Sequence, residues 1–168
     1  RSRGLGDVYK RQMMELLKTA VKQPLKVNQL QLSAAFTPSF DAGFHVNMEG
    51  PKAAVRDGSV FEYCRLTDTV IQAWSVLQHG YFKGNFVGKE EFAALNHVLN
   101  DLAKKYQVTP TAIALAWVLR YPGKMQAVIG TTKPQHVLEA GKAATVTLTR
   151  KEWYQICLLY TSDAADEL

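Results

Sequence analysis

Cysteine is almost absent from this chain: of its 168 residues only Cys64 and Cys157 are cysteine, so there is no disulfide framework and no Cys/His spacing that would ligate a metal. That scarcity suits a reducing, cytoplasmic setting. No apolar run approaches the length needed to span a bilayer, which excludes a membrane helix in the sequence at hand. A block of basic residues is missing too. The net charge is +5, but the lysines and arginines are scattered (Lys18, Lys22, Lys26, Lys83, Lys104, Lys105, Lys142, Arg150, Lys151), as on a solvated surface rather than a nucleic-acid footprint.

The two ends are related to each other. Asp7-Val8-Tyr9-Lys10-Arg11-Gln12 back-translates to GATGTGTATAAGAGACAG. The reverse complement of that string, read from its second base, encodes Cys157-Leu158-Leu159-Tyr160-Thr161 and opens a codon for Ser162. One DNA sequence in both orientations is expected of a transposase-type sequencing adapter translated at each end of a read. Residues 1–12 and 157–168 are therefore set aside as adapter-derived, and 13–156 is taken as the biological piece.

What is present is an alternation of helices and strands. Met13–Lys22 places Met13, Leu16, Leu17 and Val21 on one helical face. Val27–Leu32 alternates as a strand, with Asn28, Leu30 and Leu32 on one side and Val27, Gln29 and Gln31 on the other. Amides on one strand face suit either solvent or a wet barrel interior. Ser33–Gly58 loses all periodicity and reads as a long loop, in which Phe36, Phe40, Phe44 and His45 either line a pocket or pack on one another. A short helix over Ser59–Leu66 turns Val60, Phe61, Tyr63 and Cys64 inward, which makes Cys64 a core residue.

Thr69–Trp74 is the second strand, with Val70, Gln72 and Trp74 on one face. Trp74 is either core packing or a flat surface for a stacked ring, and the residues that follow it include a hydroxyl and Gly80. Tyr81–Lys89 interleaves aromatics, glycines and lysines, a pattern shared by single-strand nucleic-acid binders and by ordinary glycine-rich loops. An amphipathic helix follows over 90–106, with Phe92, Leu95, Leu99, Leu102, Ala103 and Tyr106 inward. Thr109 and Pro110 open another that is apolar nearly all round and should be buried. Thr149 and Glu152 form a capping box for a last helix.

Between these helices lies AVIGTTKPQHVLEA, residues 127–140. An apolar run, Ala127 to Ile129, breaks at Gly130, passes two threonines and restarts as a helix with Pro134 in its first turn. Gly130 lets a ligand approach the backbone, and the free N–H groups at the helix start, with Thr131, Thr132 and Lys133, make an anion site suited to phosphate. An ordinary strand-to-helix loop has the same outline.

Taken together, VNQLQLS, IQAWSVLQHGYF, LAKKYQVTPTAIALAWVLRYP, AVIGTTKPQHVLEA and LTRKEWYQI resemble the aldo-keto reductases, particularly the bacterial NADPH-dependent ones, in order and spacing across 13–156. The resemblance implies an α/β fold, the C-terminal half of a (β/α)8 TIM barrel that is incomplete in this chain, with ligands at the C-terminal ends of the strands. It implies NADP(H) as cofactor, and an aldehyde or ketone as substrate of the whole enzyme. Position by position, it places Gln29 on the nicotinamide carboxamide, Trp74 against the nicotinamide ring, and Ser75, Leu77 and Gly80 beside the pyrophosphate. Gly130, Thr131, Thr132 and Lys133 fall at the adenosine ribose and its 2′-phosphate, and His136 and Glu139 at the adenine and its ribose. Two positions depart from the family pattern: His136 replaces the usual Arg, and Ala140 the usual Asn, which leaves the NADPH preference open. None of the family's catalytic Asp, Tyr, Lys and His maps here, so the piece is expected to bind cofactor without catalysing. An exposed strand edge should make it self-associate. A non-enzymatic relative, such as a channel-associated β subunit that retains the cofactor site, is the alternative.

Overall fold

The computed structural model describes residues 11–37, 59–80 and 83–159. Phe40, Phe44, His45, Tyr81 and the outermost residues of both expected adapter segments lie outside that range. Helix α1 (Arg11–Ala20) leads to strand β1 (Val27–Gln31); α2 (Ser59–Leu66) precedes β2 (Val70–Trp74). A 3-10 turn at Glu90–Phe92 runs into α3 (Ala93–Tyr106), followed by α4 (Pro110–Leu119), β3 (Met125–Ala127), α5 (Pro134–Gly141) and α6 (Arg150–Leu158).

The three strands are parallel and lie in the order β1-β2-β3, each beside its predecessor in sequence. A sheet that winds one way without reversing is the arrangement of a barrel wall, whereas an open doubly wound sheet reverses at a switch point. Helices cover one face, where Leu30, Ile71 and Ala73 are buried. Asn28 is buried there as well, its amide nitrogen 3.6 Å from Met14 Sδ and 3.9 Å from Cys64 Sγ. The opposite face carries Gln29, Gln72 and Gln126, which are only partly covered or exposed.

The core gathers around α4. Thr109 accepts a hydrogen bond from the Ala112 N–H, Pro110 needs no donor in the first turn, and every residue from Ala112 to Val118 is buried. This helix touches α3, β3, α5 and the 3-10 turn Lys142–Thr145, leaving it no solvent face. Trp117 and Trp153 lock α4 to α6: their rings stack at 5.5 Å, and each indole N–H donates to the other residue's carbonyl, at 3.3 and 2.9 Å. Glu152 completes the capping box with Thr149 and also accepts from Lys105 Nζ at 2.5 Å and Tyr106 OH at 2.8 Å, tying α6 to α3. Cys64 is buried and desolvation raises its thiol pKa, in keeping with a core role; Cys157 is buried too, and burial pushes its thiol up to about 12.

Two elements differ from their sequence pattern. In α1 the buried residue is Met14, whereas Met13 and Leu16 are exposed, as is Val21 just past the helix end. The helix packs on α2 and on Asn28, so only the part of its apolar stripe that meets them is covered. The apolar run 127–129 has the composition of a strand, but β3 ends at Ala127, and Val128 and Ile129 are exposed although the Val128 N–H still donates to Ala73 O at 2.8 Å. A strand paired on one side cannot bury a residue simply because it is apolar.

Candidate functional site

All the loops of interest leave the same end of the sheet. After β1, the Leu32 N–H donates to Trp74 O at 3.3 Å, and Ser33 donates its hydroxyl to Gln78 O, so the first loop is bonded to the second. After β2 the chain turns through Ser75, whose φ of +53° is left-handed and disfavoured for any residue with a Cβ. Ser75 O accepts from Gln78 N–H at 2.8 Å, Phe86 N–H donates to Leu77 O, and Asn96 holds the returning segment at Phe86, Gly88 and Lys89. After β3, Thr131 Oγ1 accepts from the Lys133 N–H at 3.2 Å and lies 3.3 Å from His136 Nδ1, which sets the loop against the start of α5.

The loops after β2 and β3, with α4 and α5, line an open cavity of about 540 Å³, within the ~300–1,000 Å³ usual for small-molecule sites. Of the residues singled out from sequence, Trp74, Ser75, Leu77, Gly130, Thr131, His136 and Glu139 line it. Gln29, Gly80, Thr132 and Lys133 do not. Gln29 stands on the partly open sheet face, and Gly80 is buried at the turn beside Lys83. The cavity is also lined by Ala140, which stands where the family usually has Asn, and by residues the pattern did not mark, among them Gln78, Asn85, Thr111 and Leu115. Thr111 and Leu115 are one turn apart on α4, and in a helix apolar nearly all round nothing distinguishes a cavity wall from core.

The lining suits an elongated ligand with an aromatic ring: the Trp74 indole and the hydroxyl residues Ser75 and Thr131 are on the cavity wall. The anion site expected at the start of α5 is largely taken up within the chain, because Pro134 has no N–H, the Lys133 N–H donates to Thr131 Oγ1, and the His136 and Val137 N–H groups donate to Lys133 O. A Cβ added at Gly130 would meet no atom within 4 Å, so the glycine keeps open a space beside the backbone. Nearby, the amide nitrogen of Gln31 is buried with no hydrogen-bond partner among the described residues, a state worth about 1–3 kcal/mol of lost hydration.

The profile of the Aldo/keto reductase family matches residues 1–160, nearly the whole chain. The chain belongs to the aldo/keto reductase family. This aldo/keto reductase chain is 30% identical over 145 residues to a 6-dehydroglucose reductase of Agrobacterium fabrum, covering 86% of the present chain and 41% of that protein. It is 28% identical over 111 residues to an aryl-alcohol dehydrogenase of Pestalotiopsis microspora, covering 58% and 28%. The chain thus spans less than half the length of these relatives. Among solved structures it is similar to a thermostable aldo-keto reductase crystallised with the inhibitor epalrestat, at TM-score 0.63 and 20% identity over 90% of this chain and 46% of that one. It is also similar to an aldo-keto reductase of Klebsiella pneumoniae in complex with NADPH, at TM-score 0.62 and 17% identity over 91% and 46%. At such identities the likeness is one of fold, and it agrees with the sequential parallel sheet. Among the described residues no helix is long and apolar enough to cross a membrane, and no group of three or more His, Cys, Asp or Glu is placed to hold a metal.

Proposed function

We propose that this chain is the cofactor-binding half of an NADP(H)-dependent reductase of aldehydes or ketones. The observation that carries the reading is the cavity at the C-terminal ends of β2 and β3, where Trp74, Ser75, Gly130, Thr131, His136 and Glu139 meet from separate segments. The printed names of the relatives, reductase and dehydrogenase, and the NADPH-bound neighbour support it. In this reading Trp74 holds the nicotinamide ring and Gln29 its carboxamide. Ser75, Leu77 and Gly80 flank the pyrophosphate, Gly130 to Lys133 take the ribose and 2′-phosphate, and His136 and Glu139 face the adenosine. When bound, NADPH supplies the hydride. The proton donor, the family's Tyr with its Asp, Lys and His, is to come from outside this chain, so the chain alone is expected to be inactive.

We take the biological piece to be 13–156, on the strength of the inverted codon repeat, and place it in the cytoplasm. Helices α1 and α6 extend just beyond those limits, through Arg11, Gln12, Cys157 and Leu158. A parallel sheet whose β1 and β3 each pair on one side only among the described residues should also self-associate. Size-exclusion chromatography should give a species larger than a monomer; a sharp monomer peak with a cooperative melt would count against open edges.

Binding is the direct test. Titration of the purified chain with NADPH should quench its tryptophan fluorescence, and Gly130→Val, which fills the open space beside the backbone, should weaken binding at least about tenfold. A wild-type chain that binds no NADP(H), or a Gly130→Val variant that binds it equally well, would remove the basis of the assignment. Extending the DNA read upstream of Met13 tests the rest: the same frame should continue into an Asp, Tyr, Lys and His at family spacing.

A further inference from the structure

The two margins of the sheet lack the features that keep an edge strand from pairing. Neither β1 (VNQLQ) nor β3 (MQA) contains a proline or a charged residue, and Val27 on the first strand and Val128 and Ile129 just past the second are exposed. Their backbones are also complementary. On β1 the Lys26 carbonyl and the Leu32 N–H are bonded to β2, and beside β3 the Lys124 carbonyl and the Val128 N–H are. Bonding residues alternate along a parallel strand. Val27, Gln29 and Gln31 therefore turn their N–H and C=O groups outward from β1, and Met125 and Ala127 turn theirs outward from β3.

The side chains repeat the match. Gln29, Gln72 and Gln126 stand in one rank across the three strands, and their amides are bonded in series at 2.8 and 2.9 Å. Whichever way the amides of the series are turned, one end of the row keeps an unused N–H and the other an unused carbonyl lone pair among the described residues. A further glutamine in the same rank extends such a row, as in the amide ladders of stacked strands. A second copy of this chain carries one on the strand whose outward groups fit β3, namely Gln29 on β1.

We propose that this chain pairs head to tail with a second copy of itself, the β3 margin of one copy lying parallel to the β1 margin of the other, in the register that sets Gln126 opposite the partner's Gln29. In that register the Ala127 N–H donates to the carbonyl of the partner's Gln29, and the Ala127 carbonyl accepts from the N–H of the partner's Gln31. That is the bonding offset β2 already makes with β1 and β3. The proposal rests on the reading of the chain as an incomplete barrel, and it gives self-association one junction, a direction and a register. Because the two margins differ, the contact is heterologous, and each junction leaves one margin of each kind for the next.

Sedimentation velocity on the full chain over a range of concentrations reads the association constant. Gln29→Lys with Gln126→Lys sets like charges against each other at the junction, and so does Gln29→Glu with Gln126→Glu. Each double variant alone should associate at least about tenfold more weakly than the wild type, and an equal mixture of the two, which sets Lys against Glu, should recover to within about threefold. Ala127→Pro removes an outward N–H that makes no bond to β2; it should weaken association by at least about tenfold while its circular-dichroism melt stays close to that of the wild type. That variant decides the matter where a double variant does not fold. A mixture of folded double variants that stays apart, or an Ala127→Pro chain that associates as tightly as the wild type, would overturn the junction while leaving self-association through another surface. A monomeric wild type would overturn both. Neither result touches the cofactor reading, which NADPH titration of the wild-type chain tests separately.

Discussion

Replacing Trp117 with alanine should lower the unfolding free energy by about 3–5 kcal/mol, the range for deleting a large buried aromatic. The side chain is fully buried, so its removal leaves a cavity between α4 and α6 that rigid helices cannot close. The stacked partner Trp153 loses a ring contact, worth roughly 0.5–1.5 kcal/mol beyond area, and its carbonyl loses the indole donor. Against a total stability of about 5–15 kcal/mol for a domain of this size, the loss is severe. Trp117→Phe retains most of the volume and should cost about half as much. Urea titrations should show the midpoint falling with an unchanged slope. A shift below about 1 kcal/mol for Trp117→Ala would mean that α6 is not docked as described.

The second large effect lies at Glu152. Burial opposes its charged form. The Lys105 ammonium, the Thr149 N–H and hydroxyl and the Tyr106 hydroxyl outweigh that and hold its carboxyl down to about 2, from an ordinary 4.5. A carboxyl whose pKa falls on folding stabilises the native state above its unfolded pKa. That contribution is present at neutral pH and is lost as pH falls from about 4.5 toward 2. After allowance for screening on the Lys105 side, which is exposed, it amounts to about 2 kcal/mol. Glu152→Ala should cost roughly 2–4 kcal/mol at pH 7, since it removes the cap, leaves the Thr149 N–H without its acceptor and reduces the Tyr106 hydroxyl to its longer bond to Thr147 O. Glu152→Gln should retain part of the cap, and its stability should vary less between pH 5 and pH 3 than that of the wild type. Parallel pH profiles for the two proteins would contradict the assignment of that acid sensitivity to Glu152.

Both residues were legible in part. A capping box is local, four residues that satisfy one another's backbone groups, so Thr149 and Glu152 could be read from the chain alone. Nothing in the sequence said that Lys105 and Tyr106, almost fifty residues away, would close on the same carboxylate. Trp117 was expected inside because its helix is apolar on every side; its reciprocal bonds with Trp153 depend on how α4 and α6 cross. The site divides in the same way. Gly130 with its threonines is a local signal, and Trp74 was placed on the face of Gln72 by strand alternation. Thr111 and Leu115 carry no mark of a cavity wall in the sequence, because helical periodicity reports that a residue is covered, not what covers it.

By itself the sequence determined the order of strands and helices, the caps at Thr109 and Thr149, the burial of α4 and the two-faced pattern of β1 and β2. Each depends on backbone geometry and on neighbours within a turn or a pleat. Only the tertiary structure decided that Met14 rather than Leu16 anchors α1, that β3 stops at Ala127, and that Gln29, Gln72 and Gln126 stand in one row. Those outcomes depend on register and on which surfaces meet, and a one-residue slip between strands would leave the local pattern of each unchanged while turning the glutamines away from one another.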